Sequence, residues 1–166
     1  MSSTYRIVVG VDGSEGGDRA LRWAMHEAER NNGTVQAVTA WSWDGIERSV
    51  VVAPTPAEER QHAEQVLSEA VTAALTTYPA VTVAGEAVEG RSATVLAAAA
   101  RGADLLVLGS HGHSRLRHAV LGSVAEECIR LATCPVVIVP VPQPPPAHSE
   151  DLVERGEQRG RTASVS

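Results

Sequence analysis

The fifteen residues Gly109-Ser-His-Gly-His-Ser-Arg-Leu-Arg-His-Ala-Val-Leu-Gly-Ser123, which follow a uniformly apolar run, gather the groups of this chain best suited to holding an anion. Arg115, Arg117, His111, His113 and His118 lie there without one acidic side chain, although the whole chain carries a formal charge of -6 at pH 7. Such a local reversal of charge favours a phosphate-bearing ligand. Gly109, Gly112 and Gly122 let bare main chain approach that ligand, and amides opening a helix at Ser123 point their N–H groups at it. The Ser123 hydroxyl adds a donor. A second Gly-rich stretch, Gly10-Val-Asp-Gly-Ser14, supplies a single carboxylate, Asp12.

Each of these groups has a plainer reading. Asp12 at a strand end is often a turn residue bonding nearby amides. Ser123 and Glu126 have the spacing of a capping box, so capping and phosphate binding compete for one hydroxyl. Arg115 and Arg117 fit an ordinary solvated loop equally well. The histidines suggest a metal only weakly, because the loop has no acidic ligand and no helical HxxxH spacing; no metal is expected. Cys128 and Cys134 belong to no CxxC pair and read as packing residues.

Composition removes whole classes of chemistry. All 14 basic residues are Arg, so no P-loop lysine and no lysine Schiff base can form. The acidic balance argues against broad nucleic-acid binding. No apolar run approaches the roughly 20 residues that span a bilayer, and no signal-peptide pattern opens the chain, so a cytoplasmic protein away from the membrane is expected. No Ser-His-Asp order or paired carboxylate accompanies the glycine loop. The reading is therefore a binding module and not an enzyme, with slow hydrolysis or phosphotransfer through Asp12 and a divalent ion as the catalytic alternative.

The elements that hold these groups follow from periodicity. Arg6–Val11 and Asp104–Gly109 are apolar on both faces, the pattern of strands buried in the middle of a parallel sheet. Thr34–Trp41 alternates and reads as a strand with one less buried face; Val81–Val88 and Pro135–Pro140 complete five strands. Helices are predicted over Arg19–Arg30, from the N-cap Thr55 to Tyr78, over Ser92–Ala100 and over Ser123–Thr133. Ser42–Ala53 reads as a loop. Strictly alternating strands and helices imply an α/β fold, an open doubly wound parallel sheet with helices on both faces and ligands beyond the strands' carboxyl ends. Residues 1–141 form the expected domain, and the Pro-rich stretch 142–166 reads as a disordered tail.

Gly109-xx-Gly112-x9-Gly122-Ser123 matches the GxxGx9G(S/T) signature of the ATP-binding branch of the universal stress protein family. Val8-Val-Gly-Val-Asp-Gly-Ser14 and Cys134-Pro-Val-Val-Ile-Val139 resemble that family's first and last strands, so the likeness spans about residues 5 to 141. The resemblance implies an adenine-nucleotide α-hydrolase-like sheet of order 3-2-1-4-5. It also implies a nucleotide site in which Asp12 and the backbone around Gly10 and Val11 hold the adenosine. Gly109, Ser110 and Gly112 would line the ribose and α-phosphate, and Gly122, Ser123 and Val124 would take the outer phosphates, with Arg115 nearby. Trp41 replaces a smaller apolar residue that the family sets against adenine, and either stacks on the base or crowds it. ATP, with or without Mg2+, is the implied ligand, with AMP or cyclic AMP as alternatives. The implied role is in stress response or signalling, acting on a protein partner that the resemblance does not identify. A homodimer through the last strand, Val136 to Val139, is also implied, and an apolar edge strand needs such cover.

Overall fold

The computed structural model describes residues 4–43, 54–112 and 121–142. Its elements, in chain order, are β1 (Arg6–Gly10), α1 (Glu15–Asn31), β2 (Thr34–Trp41), α2 (Pro56–Thr77), β3 (Thr82–Glu89), α3 (Ser92–Ala99), β4 (Leu105–Gly109), α4 (Ser123–Leu131) and β5 (Val136–Val139). All four strand pairings are parallel, as the alternation predicted, and the order is β3-β2-β1-β4-β5, as the resemblance implied. The two doubly apolar strands, β1 and β4, stand side by side at the centre. The chain winds outward in opposite directions from that pair, which opens a crevice at their carboxyl ends.

Alternation along the strands fills two cores. Ile7, Val9 and Val11 join Val35, Ala37 and Val107 against α1 and α2. Val8 joins Val38, Leu106 and Leu108 against α3 and α4 on the other face. Buried Ala20, Leu21, Ala24, Met25 and Ala28 place one stripe of α1 on the sheet. The capping box of α2 forms as read: the Thr55 hydroxyl accepts from the Glu58 amide at 3.3 Å, and the Glu58 carboxylate accepts from the Thr55 amide at 2.6 Å. Those hydrogen bonds hold the Glu58 carboxyl below its ordinary pKa. Asn32, at φ 49°, stops α1 in the left-handed conformation expected of the Asn31-Asn32-Gly33 signal.

At the amino-terminal ends of the strands, polar groups are closely paired. The Arg6 guanidinium donates to Gln36 Oε1 at 2.8 Å, to the Ala99 carbonyl at 3.4 Å and to the Arg101 carbonyl at 2.7 Å. The Arg6 amide donates to the Asp104 carboxylate at 2.8 Å. A single side chain thereby joins β1, β2 and the carbonyls closing α3.

Two helix starts depart from expectation. α1 begins at Glu15 with Ser14 as N-cap, its hydroxyl accepting from the Gly17 amide at 3.1 Å, a full turn before Arg19. Gly16 and Gly17 looked like turn residues because glycine weakens helices; they are helical, and both are buried. α4 has Gly122, not Ser123, as N-cap, and no side chain caps it, so the Ser123–Glu126 capping box does not form. The Gly122 amide is fixed by the Ser110 carbonyl at 2.7 Å, and its own carbonyl accepts from the Glu126 amide at 3.0 Å. The cap thus falls one residue earlier and leaves Ser123 as the first helical residue.

Candidate functional site

A cleft of about 470 Å3 opens at the carboxyl ends of β2, β1 and β4, within the range of small-molecule sites. Ten residues predicted for the site line it: Gly10, Val11, Asp12, Trp41, Gly109, Ser110, Gly112, Gly122, Ser123 and Val124. Arg115 lies outside the described residues, as do Arg117, His113, His118, most of the Ser42–Ala53 loop and residues 143–166 of the tail.

Asp12 performs the turn role set out for it and lines the cleft as well. Its Oδ1 accepts from the Ser14 amide at 3.0 Å and from the Ser14 hydroxyl at 2.5 Å, which ties the carboxylate to the cap of α1. The remaining oxygen, Oδ2, is directed at Gly112, where any Cβ would collide with it. Asp12 and Gly112 therefore meet although 99 residues separate the two glycine-rich strand ends, Gly10 and Gly109.

Gly109 lines the cleft and also makes room for a neighbouring element. A Cβ there would lie 2.6 Å from the Gly16 carbonyl carbon and oxygen, so the glycine admits the first turn of α1. Ser110 contributes to the fold through its hydroxyl, which accepts from the Val141 amide at 3.2 Å and stands 3.1 Å from His111 Nδ1. Its residue is only 6% exposed. The wall on the β4 side of the cleft is formed by Gly112, Gly122 and the first turn of α4, and a helix start of this kind favours an anion. With no capping bond to make, the Ser123 hydroxyl does not face the competition foreseen for it.

The opposite wall is built from β2 and α2. β2 continues three residues past its last pairing with β1, Gly10↔Val38, so Thr39, Ala40 and Trp41 flank the crevice. Thr39 Oγ1 and Trp41 Nε1 are buried without a hydrogen-bond partner, and no other buried side-chain polar atom among the described residues is in that condition. An unmade bond of this kind costs on the order of 1–3 kcal/mol. Glu59, His62, Ala63 and Val66 of α2 face them across the cleft. The sequence reading passed over Thr39, Glu59 and His62. Thr39 stands two residues before Trp41 on the same strand face, and the buried stripe of α2 extended one turn back from Ala63 and Val66 passes through Glu59 and His62. The formal charges lining the cleft among the described residues are the carboxylates of Asp12 and Glu59.

Among the described residues no helix is long and apolar enough to cross a membrane, and no group of three or more His, Cys, Asp or Glu side chains could hold a metal ion.

Known proteins resemble this chain in sequence and fold. Universal stress protein Rv2623 of Mycobacterium tuberculosis is 34% identical over 138 residues, covering 80% of this chain and 44% of that protein. The chain thus spans less than half the length of such curated relatives. A universal stress protein solved in complex with cAMP has 28% identity and a TM-score of 0.63, over 83% of this chain and 98% of that one. One from Archaeoglobus fulgidus, solved in complex with dAMP, has 25% identity and a TM-score of 0.60, over 83% and 98% of the two chains. With residues 4–140 matching the Usp family model, and the sheet order and crevice described above, this chain belongs to the universal stress protein family.

Proposed function

We propose that this chain is an adenine-nucleotide-binding module that takes ATP in the crevice between β1 and β4. The observation that carries the reading is the meeting of Asp12 with Gly112 in one cleft that also holds Gly122, Ser123 and Val124. A carboxylate fixed by its own turn suits ribose hydroxyls, which donate to it. Amides at a helix start suit phosphates. Gly10, Val11, Gly109 and Ser110 form the floor beneath the ribose, and Arg115, on sequence grounds alone, would add charge toward the outer phosphates. Mg2+ would accompany a triphosphate.

The module binds rather than turns over its ligand: the Asp12 carboxylate is engaged by Ser14, which suits holding a hydroxyl better than activating water. Nucleotide occupancy would alter a stress-response or signalling interaction in the cytoplasm. Val136–Val139, on the sheet edge, would pair with a second copy. Calorimetry on nucleotide-stripped protein with ATP, AMP and cyclic AMP tests the reading; saturable heat is expected, and none with any of the three overturns it.

The neighbour solved with cAMP supports a second reading, a preference for the cyclic nucleotide. Competition between ATP and cyclic AMP on wild type and on Arg115→Ala separates the two. Selective loss of ATP affinity favours ATP, and equal loss or none favours cyclic AMP.

A further inference from the structure

The two unpartnered polar atoms on β2 call for a cause. Native proteins pair nearly all buried polar side chains, and each exception asks for an explanation such as an absent ligand. Here the exceptions are Thr39 Oγ1 and Trp41 Nε1, with Thr39 only 5% exposed. They lie two residues apart, on the strand face whose preceding members, Val35 and Ala37, pack toward α1 and α2. Both residues line the one cleft already described. Elsewhere in that cleft the buried hydroxyl of Ser110 is bonded, so the shortage is confined to the β2 side.

The sheet order fixes which part of a ligand comes to this side. A nucleotide with its phosphates at the start of α4 and its ribose at Asp12 runs across the sheet from β4 over β1, and the next strand is β2. Its base then arrives at Thr39 and Trp41.

Their chemistry is selective. An indole N–H only donates, whereas a hydroxyl donates or accepts. The pair fits a ring edge on which an acceptor nitrogen adjoins an amino group, as N1 adjoins the 6-amino group of adenine; in a 6-oxopurine N1 carries a hydrogen and cannot accept from the indole. Rotation about the Thr39 Cα–Cβ bond moves its hydroxyl among staggered positions, so it can turn to meet a ligand group in the cleft. Glu59, which lines the same cleft, is acceptor-only when ionised and disfavours a 6-oxo group.

We propose that Thr39 and Trp41 are specificity-determining residues that read the base edge and select a 6-aminopurine. The proposal rests on the nucleotide-binding reading above and adds to it which side chains recognise the base. It also assigns Trp41 a polar role through its N–H, where stacking or crowding was the earlier expectation.

The test compares wild type with Thr39→Val, Thr39→Ser and Trp41→Phe. Calorimetry measures AMP, inosine monophosphate and purine riboside 5′-monophosphate, and thermal melting follows each protein without ligand. Wild type is expected to bind AMP about tenfold more tightly than either analogue, the ratio of one net hydrogen bond. Thr39→Val should lose about tenfold in AMP affinity and most of that discrimination, and Thr39→Ser should retain both. Trp41→Phe, which keeps an aromatic ring without the N–H, should lose AMP affinity as well. Without ligand, Thr39→Val should melt no lower than wild type, since it removes a hydroxyl that has no partner to lose.

Unchanged AMP affinity in Thr39→Val overturns this inference and leaves nucleotide binding intact. So does a lower melting temperature that Thr39→Ser restores, which would make the hydroxyl structural. Equal affinity of wild type for all three nucleotides overturns it without any variant. Failure of wild type to bind any of them removes the underlying reading, and this inference with it.

Discussion

The two ends of the sheet treat polar groups in opposite ways. Where the strands begin, Arg6 satisfies Gln36, Ala99 and Arg101 together, and Asp104 receives the Arg6 amide. Where they end, Thr39 and Trp41 hold unpartnered atoms and the chain exposes glycine main chain around Asp12. The first arrangement closes the fold on itself, and the second leaves two buried polar atoms unsatisfied. With a nucleotide in the crevice as proposed, stability and recognition fall at opposite poles of the sheet, and substitutions at the two poles should separate them.

The largest separation is expected at Gly112. Among the described residues its added Cβ would meet the Asp12 carboxylate and no packed main chain, so Gly112→Val should fold and fill the crevice. Adenine-nucleotide affinity should fall at least ~100-fold, as expected where a side chain displaces a ligand held by close main-chain approach. Calorimetry beside circular dichroism checks both halves. A folded variant that still binds would erase the contrast between the poles.

Arg6→Ala should do the reverse. It strands two carbonyls and an amide oxygen that now accept from a charged donor, at a cost of about 2–3 kcal/mol in unfolding free energy. Nucleotide affinity measured below the melting transition should stay within twofold of wild type, about the scatter expected of distant, independent sites.

The smallest effect concerns Cys128, on the buried face of α4. Burial, with Glu127 nearby, raises its pKa from the ordinary 9.0 to about 11. Below pH 9 the thiol is neutral in folded and unfolded chains alike. Above it, the unfolded chain releases a proton that the folded one retains, so stability should fall between pH 9 and about 11. Denaturant titrations at pH 8 and pH 10.5 should show the loss, smaller in Cys128→Ala. Alkylation at pH 8 should reach the partly buried Cys134 before the buried Cys128.

Much of the architecture was legible in the residues because burial on both faces leaves a distinct mark. Ile7–Val9 and Leu106–Leu108 lack the alternation of β2, and that alone placed their strands at the centre. Caps with strong chemistry were also legible, as Thr55-Pro56-Ala57-Glu58 was. What escaped depends on approach between distant segments. Gly16 looked like a turn because propensity is local, whereas its place in α1 rests on contact with β4 and the segment after it, 93 or more residues away. Ser123 spelled a capping box, but the Ser110 carbonyl had already set the cap at Gly122. Thr39, Glu59 and His62 became cleft residues only when α2 lay across the end of β2. Periodicity already set the strand ends that carry Asp12 and the glycine signature in the middle of the sheet, and the likeness to the family added the roles expected of them.

Ser110 links matters that would otherwise be separate. Its amide donates to the Val139 carbonyl at 2.9 Å, its hydroxyl accepts from Val141 at 3.2 Å, and its carbonyl accepts from Gly122 at 2.7 Å. One residue is thus the rivet between the rim strand β5 and the threshold of α4. Prying β5 outward strains the same rivet that seats Gly122, so a force on the rim is felt at the mouth of the crevice.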